Sequence, residues 1–428
     1  METGKTDFDG GAELHMIGKS KSIIEKIRVW GVPGIIGFFR RNYVFAVQRR
    51  RLASLASKSK VKEPVRGVTV IGELTGQVSL SKTLRDFIFC LREAGIPCQT
   101  YDTLPSPQIP AKDVEGVVTP AAEFDLKRYS HIVMMYRSPL DERLVSGIKC
   151  SRIAFHESEH GIHETAPYLR DSGDAIIAMS DFNYEYYLDA FPSQSVFKIT
   201  YPFRFRLGDA TPRDSLRRKY GMSVGDFVVF FNFDFGSYYR KNIPAAIRAF
   251  AKAFGGDASA KLLFKTKGAK SNPKQVKEMM DEVSASGIGS QFIHISQYLP
   301  RADIDGLTAA CDVYLSLHRS EGFGIGMAEA MSQGKPVVAT AWSANTEFCT
   351  SETSWSIPYK MTPIQPHEYM AAMKEWADAD IDAAAAALRE IRDNPQLAAE
   401  RAAHGKRFME EHFSIANFKA DVEKLLAK

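Results

Sequence analysis

The sequence predicts an α/β protein with two doubly wound, Rossmann-like domains that face a cleft. The chain of 428 residues is longer than a single hydrophobic core usually serves. With 45% hydrophobic and 25% charged residues, its composition is typical of globular domains with ample core material. An alternation of apolar strands and amphipathic helices occurs twice. Residues 201–214, rich in Pro, Gly and turn formers, separate the two runs.

The first alternation begins with GVTVIGEL at residues 67–74, an apolar run that predicts a buried strand. Residues 81–96 carry apolar side chains at helical spacing, and Gly95 is typical of a helix end. Strands as apolar as these suit a parallel sheet covered on both faces. The further predicted elements are strands at 130–136, 151–157 and 174–180 and a helix at 182–191.

The second alternation begins with a strand at 226–233 and an amphipathic helix at 242–254. The predicted elements that follow are strands at 260–266, 291–296, 312–317 and 335–340, with a helix from 273 and another after 321. The sequence thus predicts an N-terminal extension, two domains and a C-terminal helix that could pack back on the first domain. Their predicted bounds are 1–62, 63–205, 206–411 and 412–428.

The N-terminal extension concentrates positive charge. Residues 17–62 contain twelve Lys or Arg and one acid, Glu25, a net charge of +11. Aromatic and aliphatic residues interleave with these bases, which is typical of amphipathic helices at anionic membrane surfaces. The alternative is that these helices pack on the body of the protein with a solvated basic face. No motif of a nucleic-acid-binding domain accompanies the charge, so we expect no nucleic-acid partner.

The cysteine pattern and the lengths of the apolar runs indicate the cellular compartment of the protein. The five cysteines show no close-pair metal spacing, and their odd number fits free thiols in a reducing compartment. No apolar run approaches the roughly 20 residues that cross a bilayer, and the first residues lack the pattern of a signal peptide. We therefore expect a cytoplasmic protein.

The stretch EGFGIGMAE places two acids, Glu321 and Glu329, around the closely spaced glycines Gly322, Gly324 and Gly326. It follows a predicted strand, and open α/β sheets bind ligands outside the carboxyl ends of their strands. The amides of a helix that begins near Gly324 attract phosphate, whereas carboxylates accept hydrogen bonds from sugar hydroxyls. A nucleotide sugar has this layout. We expect Glu321 to hold the hexose, the helix start the diphosphate and Glu329 the ribose.

HRSEGFGIGMAEAMSQGKPVVAT resembles the E-x7-E motif of the retaining glycosyltransferases of family 4, and residues 65–428 follow the two-domain GT-B layout of that family. RKNIPAAIRAF, residues 240–250, resembles the segment that supplies a lysine to the donor phosphate. IIAMSDFNYEYYLDAF resembles the strand, serine and helix late in the family's first domain. The motifs are most similar to those of bacterial mannosyl- and hexosyltransferases of surface polysaccharide synthesis.

This resemblance implies roles for named residues. Lys241 and Arg240 would neutralise the departing diphosphate, and His156 and Glu159 would lie near the sugar. Two departures from the family pattern qualify this. Phe235 stands where the family usually has an arginine, so either Arg240 or Lys265 would replace that charge, or diphosphate binding would be weaker. Ser79 and Ser81 stand where acceptor-side glycines are common. The remaining donor-binding residues that the resemblance implies are Gly322, Phe323, Gly324, Ile325, Glu329, Ser343 and Glu347.

The expected function is retaining transfer of a hexose to a lipid-linked or growing polysaccharide acceptor. The resemblance favours GDP-mannose as donor, with UDP-hexose as the rival, and implies no metal or other cofactor. The dense ligand cluster Glu157, Glu159, His160 and His163 is the one alternative that would suit a metal. We expect the extension to hold the enzyme at the cytoplasmic face of the inner membrane. The alternative function is a non-catalytic GT-B scaffold that binds a nucleotide sugar or glycan.

Overall fold

The computed structural model describes residues 42–135, 138–155, 173–203, 210–365 and 374–428. The described part contains two six-stranded sheets and a small hairpin. No helix within it is both long and apolar enough to span a membrane. The α/β prediction is confirmed.

The first sheet is wholly parallel and runs in the order β2-β1-β3-β4-β5-β6. In β1 the last six residues are buried, and in β5 all four are, as expected for a sheet covered on both faces. The predicted strands at 67–74, 130–136, 151–157 and 174–180 are present, with ends shifted by a few residues. The bounds are β1 Val65–Gly72, β2 Cys98–Asp102, β3 Tyr129–Met135, β4 Lys149–Ile153, β5 Ala175–Ala178 and β6 Ser195–Lys198.

Three helices flank this sheet. Residues 42–58 form α1, which buries Leu52 and Ala56 in a cluster with Ile71 of β1. Helix α2 spans Ser79–Glu93. Helix α3 spans Asp181–Ala190, and its N-terminus is capped by Ser180, whose hydroxyl accepts from the N–H of Asn183. The described end of the extension is thus part of the first domain's core.

The second sheet is also parallel, in the order β9-β8-β7-β10-β11-β12. This is the strand order of the Rossmann fold, in which the chain returns to the other side of the first strand after the third. The reversal falls between β7 and β10. The bounds are β7 Phe227–Asp234, β8 Ala260–Lys267, β9 Phe292–Ile295, β10 Val313–Ser316, β11 Val337–Thr340 and β12 Trp355–Ile357.

The helices of the second domain alternate with its strands. An antiparallel hairpin of β13 and β14 follows β12. The bounds are α4 Arg213–Lys219, α5 Ile243–Phe254, α6 Pro273–Ala285, α7 Arg301–Ala310, α8 Ile325–Ser332, β13 Tyr359–Pro363, β14 Glu375–Ala379, α9 Ile381–Asp393, α10 Pro395–His412 and α11 Ile415–Leu426.

The C-terminal helix α11 lies against the first domain. Phe418 packs edge-on against Phe87 of α2, with ring centroids 5.2 Å apart. Asp421 accepts hydrogen bonds from the N–H and the hydroxyl of Thr200. The chain therefore ends by crossing back to the domain from which it started.

Candidate active site in the interdomain cleft

A cleft of about 1560 Å³ lies between the two domains. One wall is formed by α2 and the loop before it, and the other by the loops at the carboxyl ends of β7, β8 and β10. Because the strand order of the second sheet reverses between β7 and β10, their loops diverge and leave a crevice where ligands of such sheets bind.

Glu321 lies in the loop after β10 and is 6% exposed. Its side chain contacts the ammonium of Lys241, and its Oε2 lies 3.3 Å from Nη1 of Arg240. Burial acts to raise the pKa of Glu321, but Lys241 and Arg240 outweigh it and hold the pKa at about 2. The carboxylate is therefore ionised and fixed at physiological pH.

The two bases come from the turn that follows β7. Asn242 adopts a left-handed conformation with φ of 51°, which asparagine tolerates better than most residues. Helix α5 starts at the next residue. Arg240 donates to the carbonyl of Ser320 at 2.7 Å, and its own carbonyl accepts from the N–H of Arg319 at 2.7 Å. These bonds join the loops after β7 and β10 directly, so the predicted grouping of Arg240, Lys241 and Glu321 is present.

Helix α8 begins at Ile325 with Gly324 as its N-cap, as the sequence predicts. Gly324 has φ of 97°, a backbone conformation that side chains other than glycine rarely adopt. Position 326 requires glycine for a different reason, since a Cβ there would lie 2.1 Å from the hydroxyl of Tyr314. A glycine at position 326 is therefore required by packing against Tyr314 of the sheet.

The amides at this helix start are available to an anion. Among the described residues, the N–H groups of Phe323, Gly324, Ile325 and Gly326 have no hydrogen-bond partner. All four residues line the cleft. Unpaired amides at a helix N-terminus, together with the helix dipole, form a binding site for phosphate.

The ring of Phe323 points away from such a ligand. It is 2% exposed and stacks on Tyr201, with centroids 4.1 Å apart. Phe203, Phe348 and Phe413 complete the aromatic cluster around it. If Phe323 binds the donor, as predicted, its backbone N–H and not its ring would make the contact.

Glu329 carries its own pair of bases. Nη1 of Arg301 in α7 lies 2.6 Å from Oε1 of Glu329, and Nζ of Lys82 in α2 lies 3.0 Å from the same oxygen. Burial acts to raise the pKa of Glu329, but Arg301 and Lys82 lower it to about 2. Arg301 forms a further ion pair with Asp305, and Lys82 forms one with Asp86. Because Lys82 belongs to the first domain, this network crosses the cleft.

The departure at Phe235 has a structural explanation. Its side chain is 1% exposed and packs against Phe233, Tyr238 and His294. No base reaches the cleft from this position. Lys265 lies on the adjacent strand β8 and lines the cleft.

Lys265 differs from the other bases of the cleft. Its ammonium donates to the carbonyl of Thr266 at 2.8 Å, and no described carboxylate forms an ion pair with it. Burial, with a smaller contribution from Lys267, lowers the pKa of Lys265 to about 8. Arg240 is already engaged by Glu321, so Lys265 is the better candidate for the missing arginine.

Ser343 and Glu347 lie behind the site, outside the cleft lining. Ser343 has φ of 70°, and its hydroxyl accepts from the N–H of Glu321 at 2.8 Å. Glu347 lies 2.6 Å from the ammonium of Lys198 and accepts from the N–H of Asp181, both in the first domain. Direct contact of Ser343 and Glu347 with a donor stays a prediction.

His156 and Glu159 lie outside the described residues, as does the candidate metal cluster around them. Their predicted roles stay predictions. Within the described ranges, no group of three or more His, Cys, Asp or Glu side chains is arranged to hold a metal ion.

Sequence reasoning missed Lys82 and Arg301. Lys82 stands in TGQVSLSKTLR, a segment noted only for its missing glycines, and Arg301 opens a short helix. Both bases pair with Glu329. Arg301 is more than 25 residues away from it in the sequence, and Lys82 belongs to the other domain. A pairing over such separations leaves no local signal in the sequence.

Comparison with known proteins agrees with this geometry. Residues 227–378 match the model of the family described as "Glycosyl transferases group 1". This range covers the sheet that carries Glu321, Glu329, Arg240 and Lys241. The match supports a glycosyltransferase. A search of curated proteins finds no match.

Solved structures with the same fold include sucrose-phosphate synthase from Thermosynechococcus elongatus, at 15% identity and a TM-score of 0.62, with 84% of this chain and 98% of that chain covered. HepE of Anabaena, in complex with UDP and glucose, has 16% identity, a TM-score of 0.61 and coverage of 85% and 99%. A glycosyltransferase from Rickettsia africae has 13% identity, a TM-score of 0.63 and coverage of 85% and 98%. At these identities the likeness establishes the GT-B fold.

Replacing Lys265 with Met is expected to raise the melting temperature at about pH 7, because the wild-type protein buries a charged amine. The pKa of Lys265 falls from its ordinary value of 10.5 to about 8 in the folded protein. Below about pH 8 the amine is charged in both states and the penalty is complete. Between about pH 8 and 10.5 the unfolded chain binds more protons, so the wild type regains stability as pH rises.

Scanning fluorimetry at about pH 7 and about pH 9.5 measures this effect. The exposed Lys270 on the same cleft provides the control substitution, Lys270→Met. An equal difference between wild type and Lys265→Met at both pH values would contradict the assignment.

Proposed function

We propose that the protein is a retaining glycosyltransferase that moves a hexose from a nucleoside diphosphate sugar to a lipid-linked or growing polysaccharide acceptor. The observation that carries this proposal is the set of N–H groups without hydrogen-bond partners at the start of α8. They lie between Glu321, which is paired with Arg240 and Lys241, and Glu329, which is paired with Arg301 and Lys82. The arrangement matches the order of hexose, diphosphate and ribose in a nucleotide sugar.

In this mechanism the diphosphate binds the free amides from Phe323 to Gly326. As the bond from the anomeric carbon to the diphosphate oxygen breaks, negative charge grows on the leaving group. Preorganised donors stabilise such charge without reorganisation. Lys241 and Lys265 line the cleft and supply ammonium groups to this charge, and Arg240 holds Glu321 in place.

Retention follows when the acceptor hydroxyl attacks from the face that the leaving group quits. The acceptor oxygen forms its bond to the anomeric carbon, and its proton passes to the departing diphosphate oxygen. The reaction then needs no separate protein nucleophile, in keeping with a site whose ionised acids are already paired with bases. Glu321 would accept hydrogen bonds from hexose hydroxyls, and Glu329 from the ribose.

The first domain's wall of the cleft suits an acceptor with apolar and anionic parts. Phe89 and Arg92 project from α2 three residues apart, so they lie on the same face of the helix. Both line the cleft, as do Arg85 and Val117. Among the described residues, Arg85 forms no ion pair and donates to the carbonyls of Leu74 and Gly76. A lipid phosphate-linked saccharide combines the features that such a wall binds.

GDP-mannose is the donor of the proposal, on the strength of the motif resemblance, with a UDP-hexose as the alternative. HepE of Anabaena was solved with UDP and glucose, so the fold accommodates a uracil nucleotide. We further propose that transfer is independent of metal, because cleft lysines and helix amides can neutralise the diphosphate.

A non-catalytic scaffold is the second candidate, and the inward packing of Phe235 is the observation in its favour. Without the family arginine, the cleft could bind a nucleotide sugar more weakly and without turnover.

We also propose that the enzyme associates with the cytoplasmic face of the inner membrane through residues 17–62. In the described part of this range, Tyr43 is 72% exposed, and Arg50 and Arg51 are exposed on α1. Leu52 and Ala56 face the core instead. Helix α1 therefore packs on the first domain with one face, as the alternative expects, and its exposed bases leave the other face open to an anionic surface.

Glu321→Gln is expected to lower kcat roughly 10²- to 10³-fold, since it removes a fixed charge beside the reacting centre. The wild type should turn over GDP-mannose faster than UDP-hexoses, measured by release of nucleoside diphosphate. The exposed Glu352 provides the control, Glu352→Gln. Full activity of Glu321→Gln would refute its role, and a wild type that binds but never turns over any donor would favour the scaffold.

The double substitution Arg50→Gln, Arg51→Gln is expected to weaken binding to anionic vesicles by roughly fivefold per base, because each base near such a surface contributes about 1 kcal/mol. Vesicle flotation at low salt measures this. Lys274→Gln, Lys277→Gln, on exposed positions of the second domain, is the matched control. Unchanged flotation of the first variant would remove helix α1 from the membrane contact.

A further inference from the structure

We propose that Ser180 and Asn183, which belong to the first domain, are positioning residues for the diphosphate-binding loop of the second domain. The loop is residues 321–324, named here the glycine loop. This inference rests on the proposed function, since it assigns the two residues to the orientation of amides that would bind the donor.

The side chains of Ser180 and Asn183 both donate hydrogen bonds to the same carbonyl oxygen. The hydroxyl of Ser180 donates to the carbonyl of Gly322 at 3.2 Å, and the side-chain amide of Asn183 donates to the same carbonyl at 3.3 Å. Each side chain is 0% exposed. The Ser180 hydroxyl accepts from the N–H of Asn183 at 3.2 Å, so its own proton is available for Gly322.

The two bonds set the direction of the next amide. The described peptide bonds are trans, so the N–H of Phe323 points opposite to the carbonyl of Gly322. Because Ser180 and Asn183 hold that carbonyl toward α3, the N–H of Phe323 points away from α3. It is one of the unpaired amides at the start of α8.

The other end of this peptide is held as well. The Phe323 ring stacks on Tyr201, whose hydroxyl lies 2.9 Å from that of Thr83 in α2. The peptide between Gly322 and Phe323 is therefore fixed on one side by hydrogen bonds from α3 and on the other by aromatic packing. A flip of this peptide would break the hydrogen bonds from Ser180 and Asn183 to the carbonyl of Gly322.

The start of α3 also holds the loop that follows β11. The N–H of Asp181 donates to Glu347 at 3.1 Å, and Phe182 packs edge-on against Trp342. Ser343 in the same loop accepts from the N–H of Glu321. One helix start of the first domain therefore bonds the carbonyl of Gly322 directly and contacts the loop whose Ser343 accepts from the N–H of Glu321. A change in domain orientation would alter the amides that we propose bind the diphosphate.

A buried carbonyl that loses its donors is costly and tends to reorient. We therefore expect Ser180→Ala and Asn183→Asp to weaken nucleoside diphosphate binding and to lower kcat, each roughly tenfold to a hundredfold, as for misplaced catalytic groups. The apparent affinity for acceptor should change little, because α2 and its wall are untouched.

The chain offers a matched control. Ser414 caps α11 in the same S-x-x-N pattern, with its hydroxyl accepting from the N–H of Asn417 at 3.3 Å, and among the described residues no hydrogen bond joins it to the glycine loop. Ser414→Ala removes a cap alone. It is expected to lower the melting temperature by less than Ser180→Ala, which also removes a donor from a buried carbonyl, while kcat per folded molecule stays at the wild-type value.

The test compares wild type, Ser180→Ala, Asn183→Asp and Ser414→Ala by calorimetric titration with UDP and GDP and by steady-state kinetics, with the folded fraction taken from thermal melts. Loss of nucleotide affinity and kcat in the first two variants, but not in Ser414→Ala, is the expected result. If Asn183→Asp fails to fold, Ser180→Ala, which removes one oxygen atom, decides the outcome.

The two proposals fail in different ways. If wild type binds nucleotide and both variants match it in affinity and kcat, the positioning role is overturned and the proposed function stands. If wild type binds neither UDP nor GDP, the proposed function is overturned, and the positioning role with it.

Discussion

The contact of Glu321 with Arg240 and Lys241 is the interaction on which the rest of the site depends. It joins the loops after β7 and β10 at the point where the strand order reverses, and it keeps a buried carboxylate ionised. A buried charge is tolerated only when it is paired and hydrogen-bonded. The turn at Asn242, the bond from Arg240 to Ser320 and the bond from Glu321 to Ser343 all serve this arrangement.

Near Glu321, Arg240 and Lys241, groups from both domains position the start of α8. The second domain supplies the free amides of α8, and the first supplies the groups that hold the glycine loop at Gly322 and Phe323. Lys82 adds a second connection at Glu329. The amides that we propose to bind the donor are therefore held by groups from both domains.

Much of the fold could be predicted from the sequence because parallel sheets require apolar strands at regular intervals. The short strands β6 and β12 and the hairpin of β13 and β14 were missed, since β6 has no fully buried residue, β12 has only three residues and the hairpin lacks a long apolar run. The grouping of Glu321 with Arg240 and Lys241 was accessible through the motif resemblance. The partners of Glu329 were not, because Lys82 is brought to it only by the apposition of the two domains, and Arg301 only by the packing of α7 beside α8 within the second domain.

The central claim is that the amides from Phe323 to Gly326 bind the donor's diphosphate between Glu321 and Glu329. A crystal structure of the full chain with UDP or GDP bound tests it most directly. The account predicts phosphate oxygens within hydrogen-bond distance of these N–H groups and a ribose hydroxyl on Glu329. A nucleotide bound elsewhere, with both glutamates still engaged only by their bases, would contradict it.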